Sequence, residues 1–78
     1  MIGATIRLLR LEAGLSQEQL ALKVKINASE ISNLERGLRN PKWGTMKRLA
    51  KGLGVPCWQM VRIAEMLDQE AGREKKSS

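Results

Sequence analysis

Apolar residues recur along the chain at helical spacing, and no stretch alternates apolar with polar as a half-buried strand would. Ile2, Ile6, Leu9 and Ala13 stand four, three and four residues apart, which predicts a first helix with one apolar stripe. Gly14 supplies its stop. Ser16 opens a second helix. Its hydroxyl can accept from a backbone N–H of the first turn, and Gln19, three residues on, can reach back to the cap. Leu15 and Leu20 occupy the outer and inner positions of a hydrophobic staple, and Leu20, Ala21 and Val24 are the expected inward residues.

Asn27, with Glu30 three residues later, predicts the cap of a third helix that buries Ile31 and Leu34 and stops at Gly37. Only Lys25, Ile26 and Asn27 separate the second helix from the third. So short a link forces the two to cross sharply and leaves the far side of the third helix facing outward. Arg39, Asn40 and Pro41 read as a turn. A fourth helix is expected over residues 43–52, with Met46, Leu49, Ala50 and Leu53 inward and Gly52 and Gly54 closing it. Pro56 suits the first turn of a fifth helix ending near residues 69–71. The expected fold class is all-α, five helices forming one domain over residues 1–72, with a polar tail expected to be disordered over residues 73–78.

Composition removes several classes of function. A single Cys excludes an intrachain disulfide, and Cys57 is read as a small packing residue at the start of the fifth helix. The absence of His removes the commonest general base and the commonest metal ligand. No nucleophile–base pair, phosphate loop or metal-ligand cluster is present in the sequence, so neither an enzyme, nor a metal, nor a cofactor is expected. No apolar run reaches the roughly 20 residues that span a bilayer, and the alternating start of the chain is no secretory signal, so a cytoplasmic location is expected. The formal net charge of +6 points to a polyanionic partner. Residues 36–52 hold Arg36, Arg39, Lys42, Lys47, Arg48 and Lys51 without one acid, so the cations gather immediately after the third helix.

Residues 16–36, SQEQLALKVKINASEISNLER, resemble the helix-turn-helix of the phage-repressor/Cro (XRE-type) family of transcriptional regulators. The resemblance extends over roughly residues 3–58. It includes Gln17 opening the first motif helix, Ala21 at the crossing, the buried Leu20, Val24, Ile26, Ile31 and Leu34, and the run from Leu34 to Gly37 followed by Pro41. It implies a five-helix repressor-like domain with a central helix-turn-helix, of bacterial or phage type, that binds double-stranded DNA. By the same resemblance, base contacts fall on Asn27 or Ala28, Ser29, Ser32 and Asn33. Phosphate contacts fall on Gln17, at a helix N-terminus where an anion is favoured, and on Arg36, Arg39, Asn40, Lys42 and Trp43. The residue chemistry agrees. The third helix presents short side chains opposite Ile31 and Leu34, Asn33 can bond adenine bidentately, Ser29 and Ser32 can bond several bases, and Ala28 can touch a thymine methyl. The resemblance also implies a structural ion pair between Arg10 and Glu35 that orients the third helix.

Departures from the family pattern are Lys25, where Gly is usual in the turn, and Lys42, where a Ser or Thr cap is common; Gly44 also weakens the fourth helix. One module reads too few bases for high specificity, so a homodimer on a palindromic operator is expected. Trp58, Val61 and Ala64 are expected to complete the core, leaving Met60, Ile63, Leu67 and Ala71 as an uncovered stripe and the candidate dimer interface. No small-molecule effector is evident. The other reading is an antitoxin or adaptor-type interaction module of the same fold. Membrane-surface binding is disfavoured, because the cations flank a recognition helix and do not line one amphipathic face.

Overall fold

The apolar spacing produces the helices it predicts. The computed structural model describes residues 2–77, with side chains described for residues 2–70. It contains α1 (Ile2–Glu12), α2 (Gln17–Val24), α3 (Ala28–Glu35), α4 (Trp43–Leu53) and α5 (Cys57–Ser77), with no strand among the described residues. α5 runs past residues 69–71, where it was expected to end. Gln69, Glu70, Arg73, Glu74, Lys75 and Lys76 are all good helix formers, and no Pro interrupts them. Ser78, the side chain of Ala71 and those of the polar tail from residue 73 lie outside the described part.

The first four helices stop in the same way. The N–H of Leu15, Ile26, Leu38 and Val55 each reaches back five residues, to the carbonyls of Arg10, Ala21, Asn33 and Ala50, at 3.0–3.1 Å. Each of these bonds spans one left-handed residue: Gly14, Lys25, Gly37 and Gly54 in turn. Lys25, at φ 59° and ψ 45°, is the single non-glycine in that conformation among the described residues, a placement that costs on the order of 1 kcal/mol. The tight turn is therefore made as expected, with Lys25 bearing the strain and its side chain directed to solvent. At the start of α2 the capping box is complete. Gln19 N–H donates to Ser16 Oγ at 3.0 Å, and Ser16 N–H donates to Gln19 Oε1 at 2.8 Å.

Ile6, Leu20, Ile31, Leu34, Leu49 and Met60 are fully buried and draw one residue or more from every helix into the core. α3 lies against both α1 and α2, α4 against α2 and α5, and α5 closes over α1. Two glycines set the distance of closest approach. A Cβ at Gly3 would collide with the Leu34 carbonyl oxygen and lie 2.9 Å from that of Glu35, so α1 crosses the end of α3 almost backbone to backbone. Gly52 lies within α4 and is not its stop. A Cβ there would run into Val24, so its role is to let α2 and α4 touch.

Two apolar assignments differ from those the spacing suggests. Ala13 is exposed, one residue beyond the end of α1, and Gly3, Thr5 and Arg10 are buried on that helix beside Ile6 and Leu9. On α5 the stripes are partly exchanged. Met60, expected at a dimer interface, is 0% exposed in the core, whereas Trp58 at 66% and Val61 at 43% stand out in solvent. Ala64 is buried as expected, and Ile63 packs at the edge of the core. Eight of the eleven positions from 57 to 67 on α5 are apolar and can serve a core, and the approach of α5 to α1 and α4 selects the stripe through Met60 and Ala64.

The two glycine environments predict opposite outcomes for one substitution. Gly3→Ala gains helix propensity but overpacks a backbone contact, for a net loss of about 1–2 kcal/mol. Gly44→Ala, where nothing lies within 4 Å of the new methyl, raises stability by about 0.5 kcal/mol. Denaturant midpoints of the two variants check this, and shifts of the same sign would contradict the close crossing.

Candidate nucleic-acid interface

Residues at the ends of three helices meet around one carboxylate. Arg10 on α1 and Glu35 at the end of α3 are each 8% exposed. The guanidinium grips the carboxylate with two bonds, Nε to Oε2 at 2.6 Å and Nη2 to Oε1 at 3.0 Å, and its Nη1 donates to the Leu15 carbonyl at 2.8 Å. Gln17, the first residue of α2, donates from Nε2 to Glu35 Oε1 at 3.1 Å. The hydrogen bond to Glu35 raises the Arg10 pKa above its ordinary value; burial opposes this and attraction to the carboxylate assists it. The Arg10–Glu35 pair implied by the resemblance is thus present. It ties α1, the entry to α2 and the end of α3 into one unit, and it holds Glu35, the acid at the end of α3, in the interior, away from the outward face.

That outward face carries the small polar set. Ile31, Leu34 and Glu35 are buried, Asn27 and Ser29 are exposed, and Ala28, Ser32 and Asn33 are half-buried. Asn27 occupies the cap position but makes no side-chain capping bond, so its amide is uncommitted. Glu30, read from sequence as its capping partner, lies instead 3.9 Å from the Arg39 guanidinium in a solvent-facing pair worth little. An open groove of about 610 Å³ runs between α2 and the start of α3, from Glu18 and Leu22 past Lys25 to Asn27 and Ala28.

Arg36, Arg39, Asn40, Lys42 and Trp43 are all exposed along the segment that leaves α3 and enters α4. The sixth residue of the phosphate set, Gln17, is half-buried and shares its amide with Glu35, which fixes its place at the start of α2. Lys47 was not singled out from sequence. Its ammonium lies 5.8 Å from the centroid of the exposed Trp43 ring, within cation–π range. The four-residue separation of the two on a helix was the available signal. Among the described residues no cluster of acids or Cys is suited to a metal ion, and no helix is long and apolar enough to cross a membrane.

Known proteins resemble this chain in sequence and in fold. Residues 2–57 match a helix-turn-helix domain family. The chain is 38% identical over 61 residues to the uncharacterized HTH-type transcriptional regulator y4dJ of Sinorhizobium fredii, covering 78% of this chain and 79% of that protein. Among solved structures it resembles the restriction-modification controller protein C.AhdI from Aeromonas hydrophila, with TM-score 0.73, 34% identity, and 76% of this chain and 89% of that one covered. It also resembles SinR, a master regulator for biofilm formation solved in complex with DNA, with TM-score 0.75, 32% identity, and 78% and 98% covered.

Removing one partner of the buried pair leaves the other charge unpaired in the interior. Arg10→Met and Glu35→Leu are each expected to lose about 3 kcal/mol, and the double variant distinctly less than their sum. Chemical denaturation of the three variants measures this; strict additivity would mean that the two side chains do not act together.

Proposed function

The chain belongs to the XRE-like helix-turn-helix family of DNA-binding transcriptional regulators, and from that premise we propose that it is a sequence-specific repressor or controller that seats α3 in the major groove of its operator. The observation that carries this reading is the outward face of α3. It is held from behind by Ile31, Leu34 and the Arg10–Glu35 pair, Ala28, Ser29, Ser32 and Asn33 on it are short or small, Glu30 at its flank pairs with Arg39, and exposed cations border it. B-DNA admits one helix in its major groove, and short side chains let the helix backbone come close to base edges. Ser29, Ser32 and Asn33, with Asn27 and Ala28 at the leading end, are the proposed base-reading set. Gln17, Arg36, Arg39, Asn40, Lys42 and Trp43 are the proposed phosphate contacts, which fix register without reading sequence.

The proposed assembly is a homodimer, which places two copies of α3 on a palindromic operator with half-sites about one DNA turn apart. Met60 is interior, and Ile63 and Leu67 are half-buried, so the proposed contact face moves to the exposed Trp58 and Val61. Val61 also borders an apolar groove of about 300 Å³ formed with Ile2, Pro41, Met46 and Ala64. Arg62 and Glu65, both exposed beside Val61, carry opposite charges, so two copies of α5 related by a two-fold axis can match them across the seam. The proposed activity is binding alone.

Selection of binding sites from random duplex DNA tests the reading. The expected result is one enriched symmetric motif with a fixed half-site spacing; recovery of random sequence would refute base reading. On the selected duplex, Asn33→Ala is expected to lose about 1–3 kcal/mol and to relax specificity at one position. Arg39→Ala is expected to weaken all sequences alike and to lower the salt slope by about one unit. In sedimentation at micromolar concentration Val61→Glu is expected to shift a wild-type dimer to monomer. A wild type that stays monomeric with and without the duplex would rule the dimer out.

A further inference from the structure

A second cationic surface lies outside the contacts assigned above. Lys23 and Lys25 at the end of α2 and Arg48 and Lys51 on α4 converge on a hollow of about 490 Å³, floored by Val24 and Gly52 where the two helices touch. All four cations are exposed, and among the described residues no carboxylate lines the hollow. The C-terminal ends of helices favour cations, which accounts for Lys23, Lys25 and Lys51 singly. It does not account for their convergence with Arg48, which stands a full turn before the end of α4. Four like charges about one hollow repel one another, and an anion bound among them removes that repulsion.

Lys25 ties this hollow to the recognition helix. The same residue lines the groove that runs to Asn27 and Ala28 at the leading end of α3. Its side chain is exposed and borders both surfaces. A duplex seated on the outward face of α3 has one of its backbones leaving on the side of this turn. The proposed phosphate contacts from residue 36 onward occupy the opposite end of α3. We infer that the hollow formed by Lys23, Lys25, Arg48 and Lys51 binds the phosphates of DNA flanking the operator on the turn side, extending the footprint beyond the base pairs that α3 reads. The inference rests on the proposed DNA-binding reading, and it names phosphodiester backbone, not an acidic protein, because the hollow shares Lys25 with the groove that leads to the start of α3.

The test compares two duplexes: the selected site trimmed to the shortest length that keeps its sequence preference, and the same site extended by about one helical turn of unrelated sequence on each side. Extra length adds non-specific registers, which raise affinity without altering salt dependence, so the readout is the salt slope. Wild type is expected to show a slope steeper by about two units on the extended duplex. R48A/K51A is expected to abolish that difference while leaving affinity and preference on the trimmed duplex within about twofold. Charge reversal in R48E/K51E is expected to weaken the extended duplex by at least roughly tenfold. Thermal melting confirms that both variants fold. Equal slopes for wild type on the two duplexes, or a length-dependent slope that survives R48A/K51A, would overturn the inference, including the case in which the variants lose an acidic protein partner instead. Failure of DNA reading itself would be seen separately, as loss of preference for the selected site over random sequence in the wild type.

Discussion

A buried arginine–glutamate pair is the constraint on which the geometry of this small domain depends. Arg10 and Glu35 lie 25 residues apart in sequence, and their doubly bonded contact closes α1 over the end of α3. Taking two charges out of water is costly, and the pair adds less to stability than its short distances suggest. What it contributes is orientation. Glu35 accepts from Gln17 as well, and Arg10 reaches the Leu15 carbonyl, so the entry to α2 and the exit from α3 are set by the same two side chains. The contact also keeps the negative charge of Glu35 off the surface where the polyanion is proposed to bind.

Packing then turns this orientation into an exposed helix face. Gly3 lets α1 meet α3 at backbone distance, and Gly52 lets α2 meet α4. Ile31 and Leu34 are fully buried beneath α3. Lys25 holds a left-handed turn that keeps α2 and α3 on a three-residue link. The resulting helix is short, at eight residues, and marginal as an isolated element, so its stability comes from its neighbours. A face that the protein fixes from behind loses little conformational freedom when it meets a ligand, which is the physical advantage of a recognition helix built this way.

Much of this is legible in the sequence, and the exceptions have identifiable causes. The capping box of Ser16 and Gln19 and the stop at Gly14 follow from local chemistry within a few residues, the unusual turn residue Lys25 was legible only against the family pattern, and each is present. The Arg10–Glu35 pair is long-range and was legible only through the family resemblance. Asn27 sits at its cap position without making the bond, because position depends on backbone and the bond on a side-chain rotamer. The roles of Gly3 and Gly52 were not legible, since a glycine inside a helix reveals a close crossing only when the crossing helix is known. The α5 stripe was misread for a related reason. Trp58, Met60, Val61, Ile63, Ala64, Met66 and Leu67 offer two overlapping apolar faces, and only the approach of α1 and α4 decides that Met60 goes inside and Trp58 outside. Lys23 and Lys25 meet Arg48 and Lys51 in the same way, through a tertiary contact that no local pattern records.

The central claim is that the outward face of α3 is the surface that meets DNA bases. Amide chemical-shift mapping of the labelled protein during titration with its selected duplex tests this most directly. The account predicts that the largest changes fall on residues 27–33, with a second set at Gln17 and over residues 36–43, while the helical interior of α1 moves little. Changes concentrated on α5 or along the exposed side of α1, with residues 27–33 unaffected, would contradict it.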